Sequence, residues 1–216
     1  MITVTAFKSV PEFAQGVVRD MRVRWALEEA GMPYEAKLLA LGEQAGEANR
    51  TVQPFGQVPA IDLDGVKLFE SGAIVLLIAD RSEALSPRDP QGKARMTAWV
   101  LAALNSVEPP IQQLAALDLF PQNKGVADGY RPLVVESVHK RLSQLEDWLG
   151  SRDYLEDRFT AGDLMMCAVL RILRHTDIMT EHPRLVAYQK RCEARPAFKK
   201  ALADHMKPFE KSATAA

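Results

Sequence analysis

Apolar and polar positions change period several times along the first eighty residues, and each change marks an element. Ile2 to Phe7 alternates β-branched and smaller residues, which predicts a strand. Lys8 to Gly16 contains Pro11 and Gly16 and reads as a loop. From Val17 to Ala30 the apolar residues Val17, Met21 and Trp25, with Val23, Leu27 and Ala30, recur at helical spacing, and Gly31 supplies a stop. Pro33-Tyr34 opens a second strand to about Leu39, crossing back parallel to the first, and the polar stretch Gly42 to Thr51 has room for a short helix. Two short apolar strands, Val58 to Leu63 and Val66 to Phe69, then flank Asp64-Gly65, a strong hairpin signal because both turn positions need positive φ. Pro59 sits at the start of the first of these strands, where a missing N–H is tolerable. The second runs through Glu70-Ser71 into an apolar helix, Gly72 to Asp80, with Ser71 as the expected N-cap and Glu70 just outside it. The order β-α-β-α-β-β-α describes a small mixed sheet with helices on both faces.

The composition then shifts. Ser82 to Pro90, with Pro87 and Pro90, reads as a linker, and beyond it strand signals give way to helical periodicity. Helices are predicted over 91–119, 126–149, 161–174, 184–193 and 197–206, with Pro109-Pro110 breaking the first and the chain fraying from Pro208. Thr160 followed three residues later by Asp163 is a capping-box pattern, with Asp in place of the usual Glu or Gln. The expected division is a domain over 1–82 and an all-helical domain over 90–216.

An apolar share of 47% and a charged share of 25% in 216 residues are those of a soluble globular protein. A net charge of −1 makes no electrostatic case for nucleic acid or an anionic membrane. The first ten residues turn polar too quickly for a signal peptide, and no apolar run approaches the ~20 residues a membrane span needs. Cys167 and Cys192 lack metal or redox spacing and are expected as buried free thiols in a reducing compartment, with the cytoplasm as default. The four histidines, His139, His175, His182 and His205, show neither metal nor triad spacing, so no metal is expected.

The stretch Gln57-Val58-Pro59, the Asp64-Gly65 hairpin, Glu70-Ser71 and the following helix together closely resemble the glutathione-binding half of glutathione S-transferases. Val23-Arg24-Trp25-Ala26-Leu27 is similar to that family's first-helix motif, and Phe159 to Asp163 to its buried capping box, so the resemblance spans almost the whole chain. It implies an α/β plus all-α architecture, in which a thioredoxin-like N-terminal domain is followed by a helical-bundle C-terminal domain. It also implies a cis Val58–Pro59 bond, Val58 backbone pairing with the cysteinyl unit of glutathione, and a Glu70-Ser71 pair holding the γ-glutamyl end. Gln57 and Arg50 become candidates for the glycyl end. The physics agrees: a helix N-terminus welcomes a carboxylate at Ser71, Glu70 suits an α-ammonium, and an open backbone at Val58 suits a peptide.

The implied activity is conjugation of glutathione, the co-substrate, to small electrophiles, which such enzymes promote by lowering the bound thiol's pKa. A free thiol near ~8.5 is only about 3% thiolate at pH 7, and a drop of two units takes ~2.7 kcal/mol. The family supplies this with a Tyr, Ser or Cys between the first strand and first helix, and here the chain departs from it. Phe7 stands at the strand end, and Val17, Val18 and Arg19 stand before the first-helix motif. The remaining candidates are Arg19, backbone N–H groups from Gly16 to Val18, and Ser9 in a loop longer than the family's usual. The electrophile is expected against the Trp99 to Glu108 helix, where Asn105 and Glu108 are the polar positions. A homodimer is expected, with Arg81 and the start of the helix at Gln91 as interface elements. The alternatives are glutathione-dependent isomerase or disulfide-reductase work, or a non-catalytic binding or regulatory protein on the same fold.

Overall fold

The computed structural model describes residues 1–213. The chain separates into two compact units, Met1–Ser86 with Arg195–Ala216, and Pro87–Ala194.

The first unit holds a four-stranded sheet of β1 (Ile2–Phe7), β2 (Tyr34–Leu39), β3 (Ala60–Leu63) and β4 (Val66–Phe69), in the order β2-β1-β3-β4. β1 and β2 run parallel with Ile2 opposite Tyr34, and the β1–β3 and β3–β4 pairs are antiparallel. Around it lie α1 (Asp20–Glu29), α2 (Glu47–Arg50) and α3 (Ser71–Ala79). This is the expected thioredoxin-like arrangement. Asp64 and Gly65 take φ of 53° and 91°, as the two-residue hairpin requires, and Asp62 Oδ1 accepts from the Gly65 N–H at 2.9 Å. Gly31, at φ 65°, ends α1 where expected, with the Met32 N–H reaching back to the Leu27 carbonyl at 2.9 Å. Val58–Pro59 is cis.

Several boundaries differ from the sequence expectation. α1 begins at Asp20, and residues 17–19 form turns, because the Val17 N–H is already bonded to Ala14 and Gly16 turns at φ 77°. β3 begins at Ala60, since Pro59 has no N–H to give a ladder. Ser71 is the first residue of α3 and not its cap; Glu70 occupies that position.

In the second unit, α4 (Pro90–Ala102) passes through a π-helical segment, Ala103–Val107, into α5 (Glu108–Leu119), followed by α6 (Lys124–Leu149), α7 (Ala161–Leu170) and α8 (Pro183–Glu193). Pro109 and Pro110 lie in the first turn of α5, where their missing N–H groups cost nothing, and the helical register changes just upstream. All ten residues of α7 are buried. Its start is held by the expected box: Thr160 Oγ1 accepts from the Gly162 N–H at 3.2 Å, and Asp163 Oδ2 accepts from the Thr160 N–H at 2.9 Å. Asp163 Oδ1 also accepts from Leu155 N and the Tyr188 hydroxyl, at 2.8 and 3.1 Å. Burial pushes this carboxyl above its ordinary value in spite of those three contacts and a fourth from the Thr160 hydroxyl at 3.2 Å, so its role is structural. A Cβ on Gly162 would lie 2.6 Å from Trp99 Cβ, so α4 and α7 approach as closely as they do only because that position is glycine.

α9 (Pro196–Ala213) departs most from expectation. It continues as helix through Pro208, with Phe209 buried and packed edge-on against His205 at 5.2 Å, and residues 214–216 lie outside those described. It also packs on α1 in the first unit, whereas the sequence grouped residues 90–216 together. Trp25 meets Phe198 edge-on at 4.8 Å, and Arg195 grips Glu29 through two bonds of 2.6 and 2.7 Å. At the other end, Asp20 Oδ2 lies 2.8 Å from Arg24 Nε and 3.2 Å from His205 Nδ1, all three side chains being buried.

Burial alone would raise the Asp20 carboxyl, but His205 and Arg24 outweigh it and hold it below the ordinary carboxylate value. A depressed folded value means the unfolded chain binds the extra proton first. The stabilisation is therefore full above about pH 4 and is lost as pH falls through the folded value. Asp20→Asn should cost about 3 kcal/mol at pH 7, as expected for breaking a buried pair, and the difference from the parent should shrink below about pH 4. Denaturant melts across that range test this, and a pH-independent difference would contradict it.

Candidate active site

The sheet register builds the site. Ala60 faces Phe69 across the β3–β4 pair, so Val58 and Pro59 run alongside Glu70 and Ser71 as the two strands end together. Val58 buries its side chain, while its N–H and C=O make no hydrogen bond among the described residues. The preceding residue is braced. Gln57 N–H donates to the buried Gln53 Oε1 at 3.1 Å, and Asn49 Nδ2 donates to the Gln57 carbonyl at 3.3 Å. Val58 thus presents an unpaired peptide at a bend on a fixed base, open to receiving another peptide through its backbone.

Beside it, α3 starts abruptly. Its first helical bond runs from Ile74 N to the Glu70 carbonyl at 2.9 Å, so the N–H groups of Ser71, Gly72 and Ala73 point out of the helix without partners among the described residues. Glu70 reaches this start at φ 69° and ψ 114°, a region that side chains other than hydrogen avoid, and its carboxylate is exposed and makes no cap bond. Ser71 is buried, and its Oγ accepts from Arg22 Nη1 at 3.3 Å. Arg22 is itself buried. One corner therefore combines open helix N–H groups, a hydroxyl and a buried guanidinium, suited to a carboxylate, with an exposed carboxylate beside it, suited to an ammonium. A peptide bearing a free α-amino-acid end matches both halves.

Sequence reasoning passed over Arg22. Its signal was present: Asp20, Arg22 and Arg24 put three charges into a helix whose neighbours Met21, Val23 and Trp25 are all core residues. Charges in such a position stay buried only when they have something to hold.

The other candidates are more dispersed. Ser9 is exposed in the loop after β1, and Arg50 is exposed at the end of α2; no hydrogen bond joins either to Glu70 or Ser71. Arg19 is exposed at the N-cap position of α1. Val18 is half-buried in the turn before that helix. The Val17 N–H is taken by Ala14 at 3.1 Å, which removes one of the backbone donors expected there, whereas those of Gly16 and Val18 have no acceptor among the described residues. Among those residues, no cluster of three or more His, Cys, Asp or Glu side chains is placed to hold a metal.

Comparison with known proteins identifies the family. Residues 14–80 match the family "Glutathione S-transferase, N-terminal domain", and residues 112–205 match "Glutathione S-transferase, C-terminal domain". A glutathione S-transferase of Hyoscyamus muticus is 30% identical over 201 residues, covering 84% of this chain and 92% of that one. Glutathione S-transferase PARB of Nicotiana tabacum is 31% identical over 194 residues, covering 84% and 91%. The chain belongs to the glutathione S-transferase family. Among solved structures, glutathione transferase F7 from Populus trichocarpa superposes with a TM-score of 0.82 at 25% identity, covering 95% of this chain and 99% of that one. A glutathione transferase from Burkholderia graminis, solved with two glutathione molecules bound per subunit, shares the fold at a TM-score of 0.82 and 24% identity, covering 93% and 87%.

The conformation of Glu70 is directly testable. A residue held in such a region stores roughly 1–3 kcal/mol, and glycine relieves it at an entropic cost of about 0.5–1 kcal/mol. Glu70→Gly should therefore be more stable than Glu70→Ala by about 1 kcal/mol in denaturant melts. Equal stability would show that the backbone here is unstrained.

Proposed function

We propose that the chain is a glutathione transferase, binding glutathione and joining its thiolate to small electrophiles. The observation that carries this reading is the paired corner at Glu70 and Ser71, set beside the unpaired Val58 peptide. The γ-glutamyl carboxylate is received by the α3 N–H groups and Ser71, its ammonium by Glu70, and the cysteinyl peptide by Val58. That places the thiol toward the start of α1, where the open N–H groups of Gly16 and Val18 and the positive helix end stabilise a thiolate without a hydroxyl partner. Arg19 adds charge there, and Gln57 and Arg50 serve the glycyl end. Glutathione bound in the Burkholderia graminis structure supports the choice of co-substrate.

A second reading keeps the binding and drops the chemistry. It is favoured by one feature, the absence of Tyr, Ser or Cys among residues 16–25 leading into and through the start of α1. On that reading the protein is a glutathione-responsive binding or regulatory module.

Calorimetric titration with glutathione, followed by assay of a chloroaromatic electrophile, separates the two. Ser71→Ala and Glu70→Ala should each weaken glutathione binding roughly 10- to 150-fold, the loss of a charge-assisted contact worth ~1.5–3 kcal/mol. Ser9→Ala should leave affinity nearly intact. Binding unchanged in both Ser71→Ala and Glu70→Ala would mean the ligand lies elsewhere; tight binding with no turnover would favour the second reading.

We also propose a homodimer, with Arg81, exposed just beyond α3, and the start of α4 at the interface. Stable symmetric interfaces bury roughly 1,200–2,000 Å² or more. Sedimentation at micromolar concentration should give twice 24.0 kDa, and a species of 24.0 kDa alone would refute the dimer.

A further inference from the structure

On the other side of α1 from Ser71, the first unit contains a cleft of about 660 Å³, walled by the end of α1, the following turn and β2 on one side and by α9 on the other. It is large enough for a small organic ligand. Its floor is Arg24, whose side chain is only 4% exposed. Arg24 gives its Nε–H to Asp20 at 2.8 Å, while its two Nη groups make no hydrogen bond or ion pair among the described residues. A guanidinium carries five N–H donors in a planar fork, so a buried arginine that uses only Nε retains its most carboxylate-complementary edge. Beside it, the buried Tyr34 hydroxyl makes no hydrogen bond of good geometry among the described residues, though it lies close enough to the Arg24 guanidinium to feel its charge, and Arg24 Cζ lies 5.9 Å from the Tyr34 ring centroid. Burial pushes the Tyr34 phenol up, so it stays a protonated donor.

We propose that this cleft is a binding site for a small monocarboxylate with a compact apolar body, seated by its carboxylate on the Arg24 fork. The rest of the lining decides the class. Met32 and Pro33 offer an apolar wall to the body of the ligand. Glu28 and Asp204 also line the cleft, held by Lys200 at 2.6 and 2.9 Å. That lysine is therefore already neutralised, and the two carboxylates oppose a doubly charged anion such as phosphate. A neutral ligand would leave the buried fork unmatched. A monocarboxylate meets that repulsion less than a dianion does while still matching the planar Arg24 fork, and its oxygens give the Tyr34 hydroxyl a new acceptor. No residue of the glutathione corner lines the cleft, although α1 supplies Arg22 to the one and Arg24 to the other, so the two sites share a helix but no side chain.

The probe is benzoate, with benzamide and inorganic phosphate as comparisons, titrated by calorimetry into the full chain with and without saturating glutathione. Benzoate should bind at one per chain, undisplaced by glutathione, and at least 10-fold more tightly than benzamide or phosphate. Arg24→Lys, which keeps the charge but removes the fork, should weaken it at least 10-fold. Should that variant fold poorly, Ala36→Phe on exposed β2 narrows the cleft without touching a charged group and should weaken binding to the same extent. No saturable binding of benzoate, displacement by glutathione, phosphate binding as tight as benzoate, or unchanged binding in the folded variants would each overturn the proposal.

Discussion

Three buried charges on one short helix organise the first unit. Taking an ion out of water costs several kcal/mol even after relaxation, so Asp20, Arg22 and Arg24 are tolerable only where the surrounding structure answers each of them. Asp20 is answered by Arg24 within the helix and by His205 from α9. Arg22 reaches the opposite way to Ser71 at the start of α3. Arg24 is answered at Nε and left open at its fork. The helix that would normally be a plain hydrophobic prop for the sheet is thereby committed to three directions at once. It fixes the C-terminal helix, sets the electrostatics of the ligand corner and floors a separate cleft.

The ligand corner itself is assembled from backbone more than from side chains. On the proposed reading, unpaired N–H groups at α3, an unpaired peptide at Val58 and open amides before α1 would do most of the receiving. Donors of that kind near the first helix need no particular side chain. That accounts for the way the chain keeps the family's glutathione-binding pattern while lacking the usual hydroxyl or thiol near the first helix. The strained Glu70 belongs to the same logic: an unfavourable backbone is kept because it turns β4 directly into α3 and leaves a carboxylate in the open.

Local chemistry was legible in the sequence wherever a single backbone conformation is demanded. Asp64-Gly65, Gly31 and the Thr160–Asp163 box each name their structure, because few residues satisfy the positive φ or the reciprocal bonds required. The order of elements along the chain and the helical half followed from periodicity. What escaped was set by distant partners. Ser71 looks like a cap from its neighbours, and only the turn at Glu70 moves the helix start by one residue. Arg22 looks solvent-facing until α3 is laid against it. Pro208 looks like a helix terminator, yet Phe209 anchors the next turn in the core. The π-helical insertion before Pro109 has no residue of its own to announce it.

The return of α9 to the first unit has a consequence for the order in which this protein can be made. Synthesis proceeds from the N-terminus and domains generally fold as units while it does so. The sheet and α1 leave the ribosome early, but the histidine that answers Asp20 and the arginine that answers Glu29 lie beyond residue 194, after the whole helical unit. A nascent chain of the first 194 residues therefore carries two carboxylates meant for burial without Arg195 and His205, the partners that later receive them.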